Sequence, residues 1–114
     1  MSTLNDPEWN LVATIEDVPE EDVIQVNVDD QFLALYNLNG SFFSTDDQCT
    51  HEQARLSDGF VIDDIIECPL HQGRFHIPTG KAKGAPVTCN LRTHRVKVED
   101  KNIYICLNQP GTTE

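Results

Sequence analysis

Cys49-Thr50-His51 and Cys68-Pro69-Leu70-His71 are the two stretches of this chain whose reading decides the fold. Each carries one thiol and one imidazole within a span that a single loop can turn toward one metal centre. Sixteen residues, Glu52 to Glu67, separate them. The order C-x-H…C-x-x-H supplies four ligands: Cys49, His51, Cys68 and His71. As bare ligands, two Cys and two His suit tetrahedral zinc. They equally suit a two-iron cluster in which imidazoles replace two of the four thiolates.

The flanks separate these readings. The first motif continues as C-T-H-E-Q-A-R-L (Cys49 to Leu56) and the second as C-P-L-H-Q-G-R-F (Cys68 to Phe75). Pro78-Thr79-Gly80 and Gly84-Ala85-Pro86 follow. With these flanks the chain resembles the Rieske family, and more narrowly the small Rieske ferredoxins that feed aromatic-ring dioxygenases. The resemblance runs from about Trp9 to Leu107. The C-x-H half also departs from the C-x₂₋₄-C spacing usual for zinc.

The resemblance implies an all-β Rieske fold of stacked antiparallel sheets. Residues 1–114 would form one domain, with a cluster-binding subdomain, about residues 46–86, inserted in a β scaffold. It implies one Rieske-type [2Fe-2S] cluster, with Cys49 and Cys68 on one iron and His51 and His71 on the other. Replacing two anionic ligands by neutral ones raises the potential to roughly −150 to +300 mV, against about −400 mV for an all-Cys plant-type cluster.

Departures from the wider family point to a low potential. Rieske proteins of respiratory complexes carry an extra Cys in each loop, joined as a clamp. Ala54 and Leu70 occupy those positions here, so no clamp can form. The same proteins place a Ser and a Tyr whose hydroxyls bond to cluster sulfur. Gly73 and Phe75 occupy those positions. Without those hydroxyls the potential should lie near the bottom of the range, about −150 mV.

The composition agrees with a small single domain. The chain has 114 residues, 39% of them hydrophobic, enough for one modest core. No apolar run approaches the roughly 18 residues of a membrane helix. Met1 to Glu8 contains two acids, no base and no apolar core, unlike a signal or transit peptide. A cytoplasmic protein is expected, with no membrane association.

The net charge is −11, and it is unevenly spread. Residues 1–54 hold twelve acids and no Lys or Arg, whereas residues 55–114 hold seven acids and eight bases. Nucleic acid is not the expected partner, because phosphate binding needs Lys and Arg. Acidity of this kind serves solubility, or steering toward basic protein surfaces. Of the four cysteines, Cys89 and Cys106 lie outside the motifs in apolar, strand-like surroundings, where a thiol packs as a small buried hydrophobe.

Short β-rich runs with turn signals between them replace helical periodicity. Strands are expected at Trp9 to Thr14, Val23 to Val28, Phe32 to Leu38 and Ser41 to Thr45. Asp29-Asp30 and Asn39-Gly40 supply the turns, the latter a strong two-residue hairpin signal. Phe60 to Ile62 and Ile65 to Glu67 form a small hairpin between the motifs, and Gly73 to Ile77 follows the second. Leu91 to Val98 and Asn102 to Leu107 close the scaffold. Trp9 reads as a core residue and His76 and His94 as structural or solvent-facing. Gln53, Gln72 and Pro86 read as residues that close the loops over the cluster. Arg55, Arg74, Lys81 and Lys83 read as solvated charge around it.

The implied function is one-electron transfer, not catalysis. A flavin-containing ferredoxin reductase using NADH or NADPH would load the cluster, and a terminal Rieske oxygenase would unload it. The carrier itself would be a monomer. Two other readings stand beside this one: a small Rieske subunit of another redox enzyme, of nitrite reductase type, and a structural zinc module.

Overall fold

The computed structural model describes residues 8–50, 54–70, 72–84 and 89–108. Among the described residues nine strands form in chain order: β1 (Asn10–Thr14), β2 (Asp22–Val28), β3 (Gln31–Leu38), β4 (Ser41–Asp46), β5 (Phe60–Ile62), β6 (Ile65–Glu67), β7 (Arg74–His76), β8 (Thr93–Glu99) and β9 (Asn102–Cys106). The helical elements among the described residues are two single 3-10 turns, Ile15–Asp17 and Leu56–Asp58. A six-stranded sheet runs β1-β9-β8-β4-β3-β2, and a three-stranded sheet runs β5-β6-β7. Every strand pair is antiparallel. The all-β architecture that the resemblance implies is therefore the observed one.

Turn chemistry sets the hairpins. Asn39 and Gly40 have φ of 56° and 89°, the two left-handed residues that a two-residue hairpin twisted like its strands requires. Asp29 and Asp30, at 51° and 64°, join β2 to β3 the same way, as do Asp100 and Lys101, at 52° and 69°, between β8 and β9. Aspartate tolerates this region better than most residues because its short side chain bonds locally.

β3 explains how the two sheets share a core. Successive side chains of a strand point to opposite faces. Leu33 and Leu35 join Val26, Val28, Ile103 and Ile105 on one side. Ala34 and Tyr36 face the other way, into a cluster with Leu56, Ile66, Phe75, Ile77, Cys49 and Cys68. Both faces are covered, so Leu33 to Asn37 is buried without a break. The end strands β1 and β2 also pack against each other, which curls the larger sheet around its own interior. The short sheet seals the second cluster, with Ile66 and Phe75 turned inward and Phe60 and Ile62 left exposed.

Some expected strands are trimmed. Leu91 and Arg92 are not part of β8. The Leu91 N–H donates to Gly80 O at 2.7 Å, and Arg92 O accepts from the Asp46 N–H at 3.0 Å. These bonds draw the segment toward the ligand loops instead of extending the β8–β9 ladder. Trp9 precedes β1 and is only half-buried, lying under the Lys97 ammonium at 4.7 Å and the Arg95 guanidinium at 5.7 Å. It covers an edge of the sheet with two cations on its ring and is not a core residue.

Candidate metal centre

Both motif cysteines are interior. Cys49 is 2% exposed and Cys68 is 1% exposed, and both belong to the cluster between the sheets. They sit at the roots of two loops closed in the same manner. The Cys49 N–H donates to Ala54 O at 2.9 Å, and the Cys68 N–H donates to Gly73 O at 2.7 Å. Each bond ties a cysteine to the residue five places on. Gln72, with φ of 59°, makes the turn that closes the second loop. His51, His71, Gln53 and the Ala85-Pro86 pair lie outside the described residues.

The first loop stands on a polar stem. Asp47 is 1% exposed. Its carboxylate accepts the Ser57 N–H at 2.7 Å, the Ser57 hydroxyl at 2.8 Å and the Gln25 amide at 2.7 Å. Its main chain donates to Phe32 O at 3.2 Å and accepts the Leu56 N–H. Gln25 reaches it because it shares with Val23 the face of β2 turned toward the second cluster. Asp47 thus joins β2, β3 and the Leu56–Asp58 turn at a point two residues before Cys49.

Asp46 is held differently. Its carboxylate accepts from Arg92 Nη2 at 3.0 Å and from His94 Nε2 at 2.9 Å. The Asn108 N–H donates to His94 Nδ1 at 3.0 Å, so Nε2 carries the ring proton. Partial burial works against the Asp46 charge, but the His94 and Arg92 bonds outweigh it and hold the carboxyl below its ordinary pKa. Nearby, burial pushes the Tyr36 hydroxyl far above its ordinary pKa. Thr45 Oγ1 donates to Asp46 O at 2.8 Å, so Tyr36 must donate to Thr45, also at 2.8 Å.

The second loop rests on the short sheet. Gly59 packs so closely on Glu67 that a Cβ there would overlap the Glu67 carbonyl oxygen. Arg74 pairs with Glu67 across β6 and β7 at 3.0 Å. His76 bridges Asp64 at 2.9 Å and Thr79 at 2.8 Å, tying the hairpin turn to the Pro78-Thr79-Gly80 turn. A hydroxyl, an imidazole and a carboxylate in a row resemble a nucleophile triad. The Thr79 oxygen also accepts the Lys81 N–H at 3.3 Å, which leaves the row as a clamp between two turns. His76 and His94 are structural, as expected.

One thiol departs from expectation. Cys106 is buried, but Cys89 is exposed. The chain at Cys89 is not a strand, and its carbonyl accepts the Thr50 hydroxyl at 2.9 Å. Cys89 therefore lies beside the first loop and outside the apolar interior. Asp47, Ser57 and Gln25 were not singled out from the sequence. The acidic pair Asp46-Asp47 directly before a ligand motif was the signal available, but only the packing shows that the two acids have different partners.

Comparison with known proteins now settles the family. The Rieske [2Fe-2S] domain model matches residues 8–95. The chain belongs to the Rieske ferredoxins. It is 47% identical over 100 residues to the ferredoxin component of the naphthalene 1,2-dioxygenase system of Pseudomonas aeruginosa, covering 88% of this chain and 96% of the relative. A ferredoxin of Sphingomonas yanoikuyae B1 superposes with a TM-score of 0.80 at 36% identity, covering 90% of this chain and all of that one. The ferredoxin in a complex of reduced oxygenase and oxidised ferredoxin of carbazole 1,9a-dioxygenase superposes with a TM-score of 0.82 at 34% identity. That match covers 89% of this Rieske ferredoxin and 94% of the other chain. Such ferredoxin components are electron carriers, not catalysts, and this protein carries electrons as they do. Among the described residues of this Rieske ferredoxin, no helix is long and apolar enough to cross a membrane.

Proposed function

We propose that Cys49, His51, Cys68 and His71 hold one Rieske-type [2Fe-2S] cluster. Through it the chain would pass single electrons from a flavin-containing NAD(P)H:ferredoxin reductase to a terminal Rieske oxygenase acting on an aromatic ring. The observation that carries this reading is the pairing of Cys49 and Cys68 in one buried cluster, each at the root of an identically closed loop. A metal site needs its ligands held on a fixed backbone. That condition holds at both cysteines, each buried and tied by a main-chain bond.

When bound, the cluster accepts and returns one electron. The protein's part is to hold the thiol side in the interior, and the motif spacing favours imidazoles nearer the loop tips, where a partner approaches. Relatives named as dioxygenase ferredoxin components support the oxygenase as acceptor, and the carbazole complex supports direct docking. A resemblance of 20% identity to a nitrite reductase small subunit shows shared fold alone. We read the carrier as one domain, monomeric and cytoplasmic, with residues of about 46–86 as its cluster-binding part.

Iron and acid-labile sulfide analysis tests the assignment, together with EPR of the dithionite-reduced protein. The expected result is two irons and two sulfides per chain and the EPR signal of a mixed nitrogen and sulfur cluster. Cys68→Ser and His71→Ala should abolish that signal. A colourless protein that binds one zinc would overturn the reading.

A further inference from the structure

Two adjacent acids precede the first motif, and they are compensated differently. Asp46 has Arg92 and His94. The buried Asp47 carboxylate has three neutral donors: the Ser57 N–H, the Ser57 hydroxyl and the Gln25 amide. Among the described residues no Lys or Arg pairs with it. One Asp47 oxygen takes two donors and the other takes a main-chain N–H. A carboxylate, which only accepts, fits this pattern. The carboxylate is thus held in the stem of the Cys49 loop by dipoles, with no Lys or Arg paired to it among the described residues. Chain geometry keeps the Asp47 Cα within about 7 Å of the Cys49 Cα.

We propose that Asp47 is a potential-setting residue, a fixed buried charge that keeps the bound cluster hard to reduce. The proposal rests on the reading of Cys49 and Cys68 as cluster ligands. Reduction by one electron from the reductase adds one negative charge to the centre. A like charge nearby opposes that change, and in a poorly solvated interior the opposition is not removed by salt. The missing hydroxyls at Gly73 and Phe75 account for an absent stabilisation. Asp47 supplies a separate and active bias in the same direction.

Asp47→Asn is the decisive variant. Its oxygen can still accept the Ser57 N–H. Its amide can donate to the Ser57 hydroxyl, which turns, and to the Gln25 carbonyl after that side chain flips. The shape and the bonds survive and the charge does not. The expected result is a rise in reduction potential equivalent to roughly tenfold in the redox equilibrium, about 59 mV for one electron. The EPR g-values should stay unchanged, and the rise should persist from low to high salt. The exposed Asp58→Asn is the control, with a smaller shift that salt abolishes. A loaded Asp47→Asn protein with the wild-type potential would overturn the proposal while leaving the ligand assignment intact. So would a shift that vanishes in salt.

Ser57→Ala keeps the charge and removes one donor, and serves if Asp47→Asn does not load. Its potential should fall at unchanged g-values, because the carboxylate is then less screened. An unchanged or raised potential would reject the proposal. A wild-type protein without iron and sulfide would instead sink the reading on which it rests.

Discussion

Asp46 and His94, 48 positions apart, meet at 2.9 Å, and that contact joins the stem of the first ligand loop to the last hairpin. The imidazole is the middle link of a chain running from the Asn108 N–H to the Asp46 carboxylate. Arg92 adds charge to the same carboxylate and also reaches Gln31.

The first prediction follows from this link. The folded pKa of Asp46 is depressed, so its stabilising effect is full above the ordinary carboxyl range. It is lost as pH falls through the folded value. Urea midpoints measured across acid pH should show that loss in the wild type. Asp46→Asn should weaken folding at neutral pH by about 1.5–3 kcal/mol, the usual worth of hydrogen bonds to a charged group. It should also flatten the acid limb. An unaltered acid limb in the variant would contradict the assignment.

Tyr36 gives a contrasting case, because its hydroxyl is a buried neutral donor. Tyr36→Phe removes the bond to Thr45 and leaves one Thr45 acceptor site empty. The expected cost is about 0.5–1.5 kcal/mol by chemical denaturation. Cluster content and potential should not change.

Gly59 is required by space. Its φ is −92°, which any residue adopts, but an added methyl would strike the Glu67 carbonyl immediately before Cys68. Gly59→Ala should therefore shift the β5–β6 hairpin and lower the iron content per chain. A fully loaded Gly59→Ala protein of wild-type stability would show that the hairpin yields freely.

The potential itself is a test. Phe75 is fully buried in the cluster that holds both cysteines, and it has no hydroxyl to offer. Potentiometric titration should place the wild type at about −150 mV. A value well above zero would refute the low-potential reading. Phe75→Tyr should raise the potential if its new hydroxyl reaches sulfur, while overpacking costs about 1–3 kcal/mol of stability.

Local chemistry was legible in the residues themselves. Asn39-Gly40 announces a hairpin because both positions must take positive φ, and both do. Alternation and β-branched runs announce the strands, and the Cys and His spacing announces the metal chemistry, because each signal lies within a few consecutive residues. Tertiary structure alone decided which acid meets Arg92 and which meets Ser57. It also decided that Cys89 faces outward, that Leu91 leaves the strand ladder, and that Trp9 covers an edge. Those outcomes depend on groups brought together by the stacking of two sheets, and no pattern in neighbouring residues encodes what lies across that boundary.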